Sequence, residues 1–307
     1  MPLVPLRRIP FGLPLAVAAV LLVRPAPADA QGVGTATVSS SNVGYIDPAP
    51  LATMFRLRFD AAYDNNRPSR AEFFYPQAGF PRNPGPPLPE TRVDYQEVSG
   101  YLEALLAPRL SAFVEAPVRF FNGEVNDNAA GLSDMNAGLK VSLLSDDDGV
   151  LTFQFRTYVP TGAAHRGLGT HHVSLEPALL FLRPLGDGLN LEGEFRAWVP
   201  VGGTSFAGNV LRYGAGLSYR WQYNEDVWLS PVAEVVGWTV LNGRESAVES
   251  PQVVSVESAA GDTIVNAKLG LRLGLGDAGS LYAGYGRALT GEVWYKDIWR
   301  FELRLTY

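Results

Sequence analysis

The sequence contains no cysteine, and its 307 residues include three histidines and three methionines. The absence of cysteine excludes disulfide bridges and thiolate metal sites. The histidines are His165, His171 and His172, and the last two are adjacent, so in a strand their side chains would point in opposite directions. The sequence therefore predicts no metal site and no cofactor.

A strong charge of either sign is also missing. The formal net charge is −6 and charged residues make up 18% of the chain, without a basic cluster. This balance argues against a nucleic-acid partner. Beyond residue 30, charge interrupts every apolar run within a few residues, so we expect no membrane-spanning helix there.

The first thirty residues have the organisation of a secretory signal peptide. Two arginines, Arg7 and Arg8, precede the apolar run 11–23, and an Ala-Asp-Ala sequence ends at residue 30. A charged start, a short apolar centre and a small-residue end predict cleavage after that point. An uncleaved anchor helix is the alternative, but the run is shorter than the roughly 20 residues that a spanning helix needs. Residues 31–50 are small, polar and rich in turn formers, which predicts a flexible N-terminal segment, either a periplasmic tail or a small plug.

The C-terminal residues 296–307 alternate between two kinds of side chain. Trp299, Phe301 and Leu303 fall on one face, and Arg300 and Arg304 on the other. This is the pattern of an amphipathic strand. A closing strand that ends in an aromatic residue is typical of bacterial outer-membrane barrels, and we expect this strand to be the one that the barrel assembly machinery recognises.

Eleven further segments alternate in the same way, and short connections between them alternate with longer ones. An even number of strands with short turns on one side predicts an all-β, antiparallel, up-and-down transmembrane barrel over residues 51–307 of a Gram-negative outer membrane, with the lipid bilayer as its partner. A soluble sandwich or lipocalin-like domain is the alternative, but charged faces on nearly every strand leave it no simple interior. The predicted strands are 55–63, 93–106, 110–120, 135–143, 151–159, 173–182, 189–199, 210–221, 227–241, 264–275, 281–289 and 296–307.

The charged face of each strand is expected to line the lumen, because an arginine or lysine facing lipid at mid-membrane costs about 2–4 kcal/mol. The predicted lumen cations lie on strands that meet where the barrel closes: Arg56, Arg58, Lys268, Arg272, Arg300 and Arg304. The acids lie on the opposite side: Glu176, Glu192, Glu194 and Glu234. Such walls either set up a transverse field that orients solutes or neutralise each other in a filled barrel.

One internal repeat predicts a candidate binding site. The sequence of residues 156–162 recurs at 196–202, a spacing of 196 − 156 = 40 residues, and a further step of the same length reaches Trp238. The repeat places aromatic residues at one height, Tyr158, Trp198 and Trp238, above the polar residues Gln154, Glu194 and Glu234. These six side chains are candidates for contact with a small, apolar or aromatic solute. The alternative is that they fill the upper barrel.

Signals for catalysis are few. His172 and Ser174 are two residues apart, a spacing similar to that of the catalytic pair of outer-membrane phospholipase. The alternation of this strand, however, directs both side chains into the lumen, and the asparagine-bearing motif that surrounds the pair in that family is absent. We therefore expect no enzymatic activity.

Several motifs between residues 132 and 221 resemble the outer-membrane protein family named for the MetA pathway of phenol degradation. They are the runs 132–140, 159–162 and 166–170 and the strand that contains Glu176 and Pro177. The resemblance implies a transporter-like barrel for uptake or efflux of a small, aromatic compound, and it transfers no site residue.

The sequence thus predicts a channel for passive passage of small solutes. A plugged structural or adhesive barrel, with its function in loops 64–90 and 242–262, is the second hypothesis, and an outer-membrane hydrolase is the third.

Overall fold

The computed structural model describes residues 41–66, 84–88, 90–250, 253–276 and 279–307. The predicted signal peptide 1–30, residues 31–40 of the N-terminal segment and most of the loop 64–90 lie outside these ranges. Among the described residues, no helix is long and apolar enough to cross a membrane.

Sixteen strands are present in the described residues, and twelve of them close into one antiparallel barrel. Each barrel strand pairs with its neighbours along the chain, and the first strand, Met54–Asn65, pairs with the last, Asp297–Thr306, to close the sheet. The predicted twelve-stranded up-and-down barrel is therefore confirmed. The barrel strands are β1 (Met54–Asn65), β2 (Val93–Ala107), β3 (Leu110–Gly123), β5 (Met135–Asp146), β6 (Gly149–Val159), β7 (Val173–Gly186), β8 (Leu189–Val201), β9 (Val210–Tyr219), β11 (Val227–Val240), β14 (Thr263–Leu275), β15 (Gly279–Ala288) and β16 (Asp297–Thr306).

The remaining elements lie in the connections. Strands β4 (Ala129–Leu132) and β10 (Trp221–Gln222) extend the sheet beside β3 and β11, and β12 (Arg244–Ser250) pairs with β13 (Val253–Ser258) in a separate hairpin. A short 3-10 helix, Ala164–Arg166, lies between β6 and β7.

The two ends of the barrel differ in the length of their connections. The β7–β8 turn consists of Asp187 and Gly188, which both have positive φ, as a tight hairpin requires. Equally short turns join β2 to β3 and β5 to β6, whereas the connections at the other end are longer. The end with short turns also holds the start of β1 and the end of β16, so it is the periplasmic end of an outer-membrane barrel.

Successive side chains along each strand face lipid and lumen in turn, as the alternation in the sequence predicts. On β14, Leu269 is 67% exposed and Leu271 is 46% exposed, whereas Lys268 is 3% exposed and Arg272 is fully buried. Exposed apolar side chains on a barrel's outer surface are the ones that face hydrocarbon.

Exposed aromatic side chains mark the two ends of this apolar surface. Tyr63 and Trp299 lie near the loop end, and Tyr219, Trp221 and Tyr307 lie near the turn end. Aromatic girdles at both membrane interfaces are characteristic of outer-membrane barrels.

Candidate functional site

The lumen holds part of the chain itself, residues 41–50, which we call the plug. Its apolar side chains Val43, Tyr45, Ile46 and Ala49 are at most 4% exposed. The plug begins beside Arg304, near the periplasmic end of β16, and it returns to that end before β1 begins at Met54. It is therefore a re-entrant loop with its apex at Tyr45 to Asp47.

Carbonyl groups on the first half of the plug face the seam where the barrel closes, and arginines donate to them. Arg304 Nη1 lies 2.8 Å from the Ser41 oxygen, and Arg300 Nη1 lies 2.7 Å from the Gly44 oxygen. Arg272 donates to two carbonyl oxygens, those of Asn42 at 2.9 Å and Val43 at 2.8 Å.

Backbone N–H groups of the plug face β11 and β8, and glutamates of these strands accept from them. The Glu234 carboxylate accepts from Gly44 at 3.2 Å and from Tyr45 and Ile46 at 2.9 Å each. Glu192 accepts from Asn42 at 2.9 Å, and Glu194 accepts from Asp47 at 3.2 Å. Guanidinium groups thus bind plug carbonyl groups, and carboxylates bind plug N–H groups. Charge-assisted bonds of this kind are about twice as strong as neutral ones.

Asp47 fixes the apex of the plug from its side chain. Its carboxylate lies 2.7 Å from an Arg156 nitrogen and 3.0 Å from an Arg196 nitrogen. Burial alone would raise the pKa of Asp47, but the guanidinium groups of Arg156 and Arg196 outweigh it and hold the pKa well below its ordinary value. The apex therefore carries a permanent negative charge at neutral pH.

Each wall also contains charges of the opposite sign, which differs from a simple division into a basic and an acidic side. On the seam, Asp60 receives two bonds from Arg300, at 2.7 and 2.6 Å, and Glu302 lies 2.9 Å from both Arg272 and Arg304. The predicted basic wall is thus neutralised in part. The predicted acidic side holds Arg156, Arg196 and Arg212.

Glycine is required where the plug meets the barrel wall. A Cβ atom at Gly44 would overlap the ring of Tyr282. The same ring lies against Gly270 of β14 and Gly284 of β15. The Tyr282 hydroxyl donates to Glu234 at 3.3 Å. Tyr282 therefore contacts both the plug, at Gly44, and Glu234, the carboxylate that accepts most of the plug's N–H groups.

Above the apex, the lumen widens into a cavity of about 310 Å³, which we call the vestibule. Its floor includes Tyr45 and Asp47. Residues of the loops at the extracellular end contribute to its lining, among them Thr170 and Trp294. The vestibule lies on the extracellular side of the plug.

The three aromatic residues of the repeat line this one cavity. Tyr158 and Trp198 have ring centroids 6.2 Å apart, and Trp238 packs edge-on against Trp294 at 5.2 Å. Trp294 and Tyr295 were not predicted from the sequence, because they belong to the β15–β16 loop and no alternation assigns them a face. The Trp-Tyr pair in that loop is the signal that points to them.

The polar residues below the aromatic ones lie outside the vestibule lining. Glu194 and Glu234 accept from the plug backbone, and Gln154 Nε2 lies 3.4 Å from the Asp47 carboxylate. In this closed arrangement the partner of Gln154, Glu194 and Glu234 is the plug, and their contact with a solute stays a prediction.

The predicted lumen cations divide between two levels. Arg58, Lys268 and Arg300 line the vestibule, whereas Arg272 and Arg304 hold the plug carbonyls beneath it. Arg56 lies 3.8 Å from Asp47 and 3.9 Å from Glu302.

His172 supports the aromatic wall. Its Nδ1 donates to the Thr170 carbonyl oxygen at 2.7 Å, and the ring stacks on Trp198 at 6.3 Å between centroids. Burial lowers the pKa of His172 below its ordinary value. The Ser174 hydroxyl has no hydrogen-bond partner among the described residues, so His172 and Ser174 do not form the bonded nucleophile and base pair that covalent catalysis uses.

Within the described part of the chain, no group of three or more histidine, aspartate or glutamate side chains is arranged to hold a metal ion.

The fold is similar to that of solved bacterial barrels. An outer-membrane channel from Pseudomonas putida F1 matches with a TM-score of 0.51 and 14% identity, over 86% of this chain and 98% of that one. A NanC porin matches with a TM-score of 0.47 and 10% identity, over 82% and 98% of the two chains, and a KdgM porin with 0.45 and 9%, over 83% and 99%. The chain forms an outer-membrane β-barrel. No family model and no curated protein matches its sequence.

Proposed function

We propose that this protein is an outer-membrane channel for small solutes that its own N-terminal segment closes at mid-height. The observation that carries this proposal is the set of bonds from three consecutive plug N–H groups to the single carboxylate of Glu234. A lumen lined by ion pairs and crossed by a short tethered loop is suited to passive passage once that loop is displaced.

Polar side chains that bind a backbone segment are able to bind water and solute when the segment leaves. Among the cations that hold plug carbonyls, Arg300 is paired with Asp60, whereas Arg272 and Arg304 share the carboxylate of Glu302. The wall itself thus neutralises part of the charge that displacement of the plug exposes. This arrangement lowers the free-energy cost of an open state.

The solutes that we propose are small and aromatic or apolar, including phenolic compounds. The aromatic lining of the vestibule supports this class. The activity is passive and needs no cofactor, and we propose that the barrel assembly machinery inserts the protein through β16.

A permanently plugged structural or adhesive barrel is the second candidate, and the buried plug is the observation that favours it. The two candidates differ in what removal of the plug does. We would refold the mature protein and a variant lacking residues 31–50, and record single-channel currents in planar bilayers with phenol or a sugar added.

A channel predicts small or rare currents for the intact protein, larger steady currents for the deletion variant, and reduction of those currents by phenol. Currents that stay absent in an inserted, correctly folded deletion variant would contradict the proposed channel and favour the structural role. Folding is checked independently by the heat-modifiable gel mobility of the barrel.

A further inference from the structure

One cation of the vestibule differs from all its neighbours. Lys268 is 3% exposed, and its ammonium donates to the Tyr295 hydroxyl at 2.7 Å, yet it forms no salt bridge with any described residue. Arg58 and Arg300, which line the same cavity, each form salt bridges at 2.9 Å or less. A buried ammonium without an anion is costly unless another group compensates for it.

Aromatic faces supply part of that compensation. The Lys268 nitrogen lies 3.8 Å from the ring centroid of Tyr45, 5.2 Å from that of Tyr295 and 5.5 Å from that of Trp238. In such cation–π contacts the negative face of the ring attracts the ammonium. The close contacts of the ammonium are therefore aromatic, and the carboxylates of Glu234, its cross-strand neighbour, and Asp60 attract it from beyond salt-bridge distance.

The acids that line the vestibule already have partners: Asp134 accepts from Gly162 and Thr170, and the others pair with arginines. Glu97 is held by Arg119 at 2.8 Å, Glu115 lies 2.9 Å from Arg58, and Asp60 receives both bonds from Arg300. No described carboxylate lies within salt-bridge distance of Lys268, so an anion that enters the vestibule can take that position.

We infer that the vestibule is a binding site for small aromatic carboxylates, with Lys268 as the anchor for the carboxylate and the surrounding rings as the surface for the aromatic body. A carboxylate on the ammonium of Lys268 places an attached ring among Tyr45, Trp238 and Tyr295. The volume of about 310 Å³ accommodates a one-ring compound. This inference deepens the proposed function, on which it rests for the solute's access to the lumen.

The test is isothermal titration calorimetry of the refolded, intact protein with benzoate, benzamide and acetate. Benzamide has the shape of benzoate without its charge, and acetate has the charge without the ring. We expect benzoate to bind at least about tenfold more tightly than either, since a hydrogen bond to a charged group is worth about 1.5–3 kcal/mol.

Variants locate the anchor. Lys268→Met is expected to weaken benzoate binding about tenfold or more, Lys268→Arg to retain it, and Lys296→Met, which changes an exposed lysine outside the vestibule, to leave it unchanged. Equal binding of benzoate and benzamide, or of benzoate to wild type and Lys268→Met, would overturn the inference. If Lys268→Met does not fold, the comparison of benzoate with benzamide on the wild type decides alone.

Acetate binding as tightly as benzoate would reduce the site to an anion site without aromatic selectivity and would also overturn the inference. Calorimetry of the plugged barrel requires no conduction. Failure of the channel proposal therefore appears in the plug-deletion currents, and failure of this inference appears in the titration.

Discussion

The carboxylate of Glu234, in the middle of β11, lies 2.9 Å from the backbone nitrogen of Tyr45, at the apex of the plug. The same carboxylate also accepts from the backbone N–H groups of Gly44 and Ile46, the residues that flank Tyr45. One side chain of the barrel wall therefore binds three consecutive residues of the plug's turn, and its replacement is a direct way to disturb the closed state.

Glu234→Gln is expected to destabilise the closed state by about 2 kcal/mol, because a neutral amide offers one acceptor oxygen where the carboxylate binds three N–H groups. Single-channel recordings should show a larger open fraction than the wild type. Glu225→Gln, in an exposed turn, is the matched control and should behave as wild type. An unchanged open fraction in Glu234→Gln would mean that this carboxylate does not hold the plug.

Gly44→Ala tests the fit of the plug by shape alone. The added methyl group would overlap the Tyr282 ring, and overpacking of this kind costs about 1–3 kcal/mol. We expect increased conductance with normal barrel folding. Gly100→Ala provides the control, since a Cβ atom there meets nothing within 4 Å. Equal conductance of Gly44→Ala and wild type would show that Gly44 does not lie against Tyr282 in the membrane-inserted protein.

Asp47→Asn should loosen the apex, by about 3 kcal/mol if the loss resembles that of other buried charge pairs. The pKa of Asp47 is held below its ordinary value, so the stabilisation that this carboxylate provides is fully present above the unfolded-state pKa of about 3.9. It is lost as the pH falls through the lowered folded-state value.

The measurement is the urea-unfolding midpoint of wild type and Asp47→Asn between pH 8 and pH 2. Their difference should be constant above about pH 4 and should shrink below it. Asp127→Asn, on an exposed loop, should show no such difference. A difference that disappears between pH 7 and pH 5 would contradict the lowered pKa.

Trp198→Ala and Trp238→Ala should alter solute selectivity more than stability, because both indoles are partly exposed to the vestibule. In the plug-deleted channel we expect weaker block by phenol and little change in block by a sugar. Unchanged block together with a lowered melting temperature would assign these residues a packing role.

The strands, and the side of the barrel wall that each side chain faces, were predictable because apolar and polar residues alternate along each strand. Lys268 and Leu269 are neighbours in sequence, and a membrane on one side and a polar lumen on the other force them to opposite faces. The aromatic residues of the repeat were predictable for the same reason, since Tyr158 and Trp198 occupy equivalent positions of equivalent strands.

The plug's binding partners were not predictable. Glu234 binds backbone N–H groups, which every residue except proline possesses, so nothing in the sequence of residues 41–50 marks it as the partner of Glu234. Trp294 was missed because a loop residue has no periodicity to assign it a side. The sequence therefore shows which side chains face inward, but it does not show which of them are already occupied.

The plug is re-entrant, and this constrains the order of assembly. Ser41 lies beside Arg304 near the periplasmic end of β16, and the Thr53 carbonyl oxygen accepts from the Tyr307 nitrogen where the last strand meets the first. Both ends of the plug are thus on the periplasmic side, and none of its described residues passes through to the outer surface. The barrel can close first and receive the plug afterwards from the periplasm, so the closed state forms without threading the chain through a finished pore.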